Sequence, residues 1–190
     1  EVCGETCIDD DLRLVFVALL HREVDGYGLG VAYVQDGYPL YYDATNEKGL
    51  SMAGLLFAGN AYYSKVETEG KEHISPFELI PWILGQCATV AEAKQKLEGL
   101  HLVAINYSEE LRVTPLHWML ADKQECIVLE ATEKGMGIYE NPVKVLTNNP
   151  PFPFHRENIH AYIGLHEGLE KNNLSTELPL KNISLGFGAM

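Results

Sequence analysis

From Gly30 onward the chain reads as short β-patterned runs separated by turn residues. Val31-Ala32-Tyr33-Val34 is rich in strand formers, Asp36-Gly37 is a two-residue hairpin signal of the I′ type, and Tyr38 to Asp43 can pair back. Asn46-Glu47-Lys48-Gly49 marks a second turn. Leu50 to Phe57 is a further strand, whose Ser51, Met52, Ala53 and Gly54 are small or apolar and predict burial on both faces. Together these runs predict an antiparallel meander. Residues 64–73 are polar and loop-like. Ser75-Pro76-Phe77-Glu78 reads as a helix start, with Ser75 as cap, Pro76 in the first position and Glu78 in the third. Leu79, Ile80, Trp82, Ile83 and Leu84 supply its apolar stripe, and Pro81 inside it is expected to kink the helix. Thr89 caps a second helix running through Ala91, Ala93, Lys96 and Leu97. Strands resume at Leu116 to Ala121 and Cys126 to Glu130, around the turn Asp122-Lys123-Gln124-Glu125, followed by Gly137 to Tyr139 and Val143 to Leu146. Asn148-Asn149-Pro150-Pro151 breaks the chain, and His155 to Leu165 predicts a last helix. Two sheet halves with helices between them in sequence predict an α+β fold of stacked antiparallel sheets and helices. Residues 1–28 fit neither period and stand apart from a domain spanning 29–190.

Composition narrows the field. The 190 residues are 46% hydrophobic and 22% charged, which suits one domain with a buried core, or most of one. The formal charge of −13 repels phosphate backbones, so nucleic acid is excluded as a partner. The four cysteines, Cys3, Cys7, Cys87 and Cys126, form no C-x-x-C pair and read as reduced thiols of a cytoplasmic protein. The histidines are scattered, and His155 and His160 are spaced wrongly for one helix face, so neither a metal nor a cofactor is expected. No apolar run approaches the roughly 18 residues that a membrane-spanning helix needs. Leu12 to Leu20 has the length of a signal-peptide core, but acidic residues precede it rather than basic ones.

Several stretches then carry a family likeness. They are Tyr38-Pro39-Leu40-Tyr41-Tyr42-Asp43-Ala44, Asn46-Glu47-x-Gly49-Leu50, Met52-Ala53-Gly54-Leu55 and Gly59-Asn60-Ala61-Tyr62-Tyr63. Further along come Pro76-Phe77-Glu78, Pro81-Trp82-Ile83-Leu84-Gly85-Gln86-Cys87, Leu116-His117-Trp118 and Leu146-Thr147-Asn148-Asn149-Pro150. In this order they resemble the choloylglycine hydrolase family, collinearly from about Gly30 to about Tyr162, and conjugated bile salt hydrolases more than penicillin V acylases. The resemblance implies an αββα fold of the N-terminal-nucleophile type. It also implies a bacterial cytoplasmic enzyme, homo-oligomeric as its family is, that cleaves the glycine or taurine amide of a conjugated bile acid. An N-terminal Cys would attack the carbonyl with its own α-amine as base, and oxyanion donors would stabilise the tetrahedral intermediate.

Carried over residue by residue, the family's site is incomplete in this chain. The Arg-Asn-x-Asp type segment that follows the nucleophile is absent, so the chain is expected to begin after it, and Cys3 and Cys7 do not replace it. The family's late Arg is expected beyond Met190. Asn148 matches the oxyanion-region Asn. Leu56 stands in Gly54-Leu55-Leu56-Phe57 where relatives place an oxyanion Asn, and it offers no side-chain donor. Asn60 matches a family Asn outside the core site. Tyr62 and Tyr63 are candidates to line the substrate pocket, against the alternative of a packed aromatic pair, while Asp43 and Trp82 read as framework. The alternatives are a penicillin V acylase-like amidase or a non-catalytic fragment that keeps the fold. The chain as written is expected to release no glycine or taurine.

Overall fold

A computed structural model describes residues 16–19, 29–35, 38–65, 69–162 and 177, with the backbone alone for 16–19 and 29–35. Two compact units are present, Glu1–Phe152 and Pro153–Met190. The first holds the strands β1 (Phe16–Leu19), β2 (Leu29–Gln35), β3 (Tyr38–Thr45), β4 (Ser51–Leu56) and β5 (Glu72–Ile74). The helices α1 (Leu79–Leu84) and α2 (Val90–Glu98) follow, then β6 (Leu100–Leu102), β7 (Leu116–Ala121), β8 (Cys126–Thr132) and β9 (Gly135–Glu140). Helix α3 (Phe152–Asn158) begins at the end of this unit. In the second unit it runs into a 3₁₀ turn, Ile159–Tyr162, where His160 Nδ1 lies 3.0 Å from the Glu157 carbonyl.

The fold class is α+β. The large sheet has the order β1-β2-β3-β4-β7-β8-β9, and all its pairings are antiparallel. The expected meander is present, with Gln35 paired to Tyr38 across residues 36–37. The type of that turn lies outside the described residues. The two sheet halves are not separate layers: β4 pairs directly with β7, from Ser51–Ala121 to Leu56–Leu116. Only one large sheet is found among the described residues. A second, parallel pair joins β5 to β6 and was not foreseen. Strand β1 falls within residues 1–28, where the sequence assigned no element; the remainder of that segment lies outside the described residues.

Several local expectations are corrected. Helix α1 starts at Leu79, and Ser75 does not cap it, because the Ser75 hydroxyl donates to the Ile105 carbonyl at 2.7 Å. The late start puts Pro81 in the first turn, where the amide N–H groups have no intrahelical partner, so α1 accommodates the ring. Strand β4 is only half-buried: Met52 is enclosed, but Leu56 at its end is 46% exposed. Val143 to Leu146 forms no strand. The Asn141 side chain instead folds the segment back, donating to the Val145 carbonyl at 3.1 Å and accepting from Lys144 N–H at 3.0 Å. The last helix begins at Phe152 rather than His155, and residues 163–165 lie outside the described residues.

The core sits between one face of the sheet and the helices. Met52, Trp118, Leu120, Ile127 and Leu129 meet Leu79, Ile80, Ile83, Val90, Ala93 and Leu97 there. Helix α2 has nine residues and is too short to persist alone; burying Val90 and Leu97, at roughly 1.5–3 kcal/mol each, holds it on the sheet. Thr89 caps it as expected, accepting from Glu92 N–H at 3.2 Å. Asp122, in the β7–β8 turn, fixes the start of α2 by accepting from Val90 N–H at 2.8 Å while also accepting from Gln124 and Glu125 N–H.

That cluster makes stability acid-sensitive. Burial pushes the Asp122 carboxyl up, but the N–H groups of Glu125, Val90 and Gln124, with Lys94 nearby, outweigh it and hold the group below its ordinary 3.8. A depressed carboxylate stabilises the fold above the ordinary value and loses that contribution as pH falls through the folded-state value. We therefore expect Asp122→Asn to lower the urea midpoint at pH 7 and to flatten the fall in stability below about pH 4. An acid limb as steep as the parent's would contradict this.

Candidate functional site

Three segments meet beside the β4–β7 seam. The first is the end of β4. Gly54 lies under the Trp118 indole, where an added Cβ would sit 3.2 Å from Nε1, so the strand passes closely beneath the ring. Two residues on, Leu56 pairs with Leu116 and is left half-exposed. Beyond it Phe57 N–H donates to the Pro115 carbonyl, and the Phe57 carbonyl accepts from Asn60 and Ala61 N–H, forming a tight turn with Gly59 at φ +79°.

The second segment is 141–151, which carries Asn148 at the surface. Asn60 Nδ2 donates to Asn149 Oδ1 at 2.6 Å, which ties this loop to the turn after β4. Leu56 and Asn148 thus lie on two segments joined by one side-chain hydrogen bond. The likeness puts Asn60 outside the core site; in the structure it links the segments that carry the candidate residues Leu56 and Asn148.

The third segment lies below them. His117 on β7 and Glu130 on β8 are 0% and 1% exposed, and His117 Nδ1 lies 3.0 Å from Glu130 Oε1. The same oxygen accepts from Phe152 N–H at 2.8 Å, four residues after Asn148. The His117 ring stacks on Phe57 with centroids 4.2 Å apart and planes within 4°. Sequence reasoning missed this pair. The available signal was a single carboxylate inside the apolar run from Cys126 to Ala131, a placement that needs a buried partner.

The two candidate pocket tyrosines diverge. Tyr62 is 51% exposed and lines a cavity of about 640 Å³ with Lys71, Leu100, His101 and Met136. Tyr63 is 8% exposed; its hydroxyl accepts from Leu116 N–H at 2.7 Å and donates to the Leu116 carbonyl at 3.0 Å. Burial pushes the Tyr63 hydroxyl up to about 12 despite the lowering effect of the Leu116 hydrogen bond, so it holds its proton at neutral pH. Its hydroxyl clamps β7 through both backbone groups of Leu116. They are not a packed pair. A smaller groove is lined by Tyr41, Phe77, Tyr107, Leu111, Arg112 and Leu116, the strand partner of Leu56. Among the described residues no group of three or more His, Cys, Asp or Glu side chains could hold a metal ion. No described helix is long and apolar enough to cross a membrane.

Residues 18–190 match the family model of linear amide C–N hydrolases, choloylglycine hydrolase family. The chain is 49% identical over 162 residues to a bile salt hydrolase/transferase of Lactiplantibacillus plantarum, covering 85% of this chain and 50% of that protein. It superimposes on a variant of conjugated bile acid hydrolase from Clostridium perfringens with a TM-score of 0.76 at 34% identity, over 85% of this chain and 49% of that one. A penicillin V acylase from Agrobacterium tumefaciens shares the fold, with a TM-score of 0.55 at 22% identity, over 72% of this chain and 40% of that one. The chain spans about half the length of the curated relatives it matches. With residues 18–190 matched to the family model, the chain belongs to the choloylglycine hydrolase family of linear amide C–N hydrolases.

Proposed function

We propose that the whole protein carrying this chain hydrolyses the amide between a bile acid and glycine or taurine, and that this chain contributes the oxyanion side of the site. The observation that carries the reading is the loop 146–150. It presents Asn148 at the surface while Asn60 grips the neighbouring Asn149, in a chain 49% identical to a bile salt hydrolase/transferase. Asn148 would donate to the oxygen of the tetrahedral intermediate, where developing charge gains most from a fixed donor. Tyr62, exposed above its cavity, is the better placed of the two tyrosines to touch substrate. The test compares turnover of glycocholate, taurocholate and penicillin V by the whole protein. Release of glycine or taurine at rates well above cleavage of penicillin V is expected, and a preference for penicillin V would overturn the substrate class.

Leu56 favours a second reading, in which the protein keeps the fold and binds bile acid but turns it over slowly or not at all. Binding of glycocholate without release of glycine would select that reading. A substitution addresses it directly. Leu56 is half-exposed at a strand end, so Leu56→Asn should cost no more than about 0.5 kcal/mol of stability. If the position faces the oxyanion, the new amide should raise kcat about tenfold, part of the roughly 10²–10³ that one such donor supplies. A folded Leu56→Asn variant no faster than its parent would show that the oxyanion lies elsewhere.

A further inference from the structure

We infer that His117 and Glu130 form a positioning pair that sets both site-bearing segments at once, holding Asn148 through Phe152 and the Leu56 strand end through Phe57. The inference rests on the reading just proposed, and it concerns residues that never touch substrate. Glu130 Oε1 meets Phe152 N–H at 2.8 Å and His117 Nδ1 at 3.0 Å. Phe152 closes the loop that begins at Asn148, and the two prolines between them, Pro150 and Pro151, leave little freedom to absorb a shift at Phe152. The His117 ring lies flat on Phe57, the residue that follows Leu56 and whose carbonyl anchors Asn60. Asn60 then returns to the loop by its bond to Asn149. The contacts form a closed circuit: Glu130, Phe152, the Asn148 loop, Asn149, Asn60, Phe57, His117 and back to Glu130. An oxyanion donor must be held in place before the charge forms, and a closed ring of contacts does that better than a loop fixed at one end.

The chemistry of the pair supports positioning over bulk stabilisation. Packing alone is served by apolar side chains at both places, as Val128 and Leu129 show beside Glu130. A buried carboxylate carries a large desolvation penalty, and what it provides in return is directed hydrogen bonding. Glu130 directs that bonding at one backbone N–H, that of the residue ending the Asn148 loop.

The test uses the whole protein with three variants, reading kcat and KM separately and amide exchange at Phe152. Glu130→Ala removes the acceptor. His117→Phe keeps an aromatic ring against Phe57 and removes both ring nitrogens, of which only Nδ1 has a hydrogen-bond partner, so it breaks the contact with Glu130 and carries the test if Glu130→Ala does not fold. Glu130→Gln keeps an acceptor for Phe152 N–H and should rescue. We expect Glu130→Ala and His117→Phe to lower kcat at least about tenfold with KM within about twofold, because misplacement of a donor acts on the transition state. Phe152 N–H should exchange faster in Glu130→Ala, and Glu130→Gln should stay within about threefold of the parent in kcat. If the folded disrupting variants lose stability but keep the parent's kcat, the pair is structural only and the inference fails. If the parent itself cleaves none of the amides, the functional reading fails, while the exchange at Phe152 still decides whether the pair holds the loop.

Discussion

Asn148→Ala in the whole protein is expected to lower kcat for glycocholate by about 10²–10³ and to leave KM within a few-fold, the signature of a donor that acts on the transition state. The reasoning starts from what the position lacks elsewhere. On the proposed reading, Leu56 leaves Asn148 as the side-chain amide facing the oxyanion, so its loss would not be buffered by a second. The side chain is at the surface of a loop held from both sides, by Asn60 on Asn149 and by Glu130 on Phe152, so truncation should not disturb the fold. Asn149→Ala is the matched control. It loses the 2.6 Å bond from Asn60 and loosens the loop, yet keeps the proposed donor, so its loss of kcat should be markedly smaller. Equal losses in the two variants would mean that loop geometry and not the Asn148 amide matters.

Asn46→Ala is expected to destabilise the fold by about 3 kcal/mol, from several lost hydrogen bonds worth roughly 1 kcal/mol each plus buried groups left unpaired. Asn46 is 4% exposed and spends its whole side chain. Nδ2 donates to the carbonyls of Leu84 and Cys87 at the end of α1, and Oδ1 accepts from Lys48 and Leu50 N–H in the β3–β4 turn. One amide thus joins helix to hairpin with both donors and its acceptor in use. Asn46→Asp should be at least as damaging, since it turns a carboxylate oxygen towards two carbonyls. Urea unfolding of the three proteins measures this, and a loss below about 1 kcal/mol for Asn46→Ala would mean that water replaces the missing amide.

The sequence made some of this legible and hid the rest for identifiable reasons. The Asp36-Gly37 hairpin, the Thr89 cap and the β7–β8 hairpin all have local causes, written in turn and cap residues within a few positions of each other. Pairing of β4 with β7 has no such cause: it is set by how two apolar faces share one helix layer, which periodicity does not encode. Ser75 looked like a cap because cap chemistry is local, but Ile105, thirty residues on, competes for its hydroxyl. Val143 and Val145 looked like a strand because they are β-branched, yet Asn141 turns the backbone before they can pair. At the candidate site, motif position singles out Asn148 and Leu56. It does not single out His117, Glu130 or the Asn60–Asn149 bond, since each depends on partners 13 to 89 residues away.

The seam between β4 and β7 also dictates an order of assembly. It pairs residues 60 to 70 positions apart, Leu56 with Leu116 and Ser51 with Ala121, whereas β2–β3–β4 and β7–β8–β9 are each built from neighbouring hairpins. Local hairpins close in microseconds, while a pairing this distant must first meet the entropy of closing a long loop. The two meanders are therefore expected to form early as half-sheets, with the seam joining them late, once α1 and α2 give both a common surface to dock against. Until it closes, β4 and β7 each present an unpaired edge able to recruit a strand from another molecule. The same seam that brings Leu56 beside Leu116 is thus the point at which a nascent chain is most exposed to misassembly.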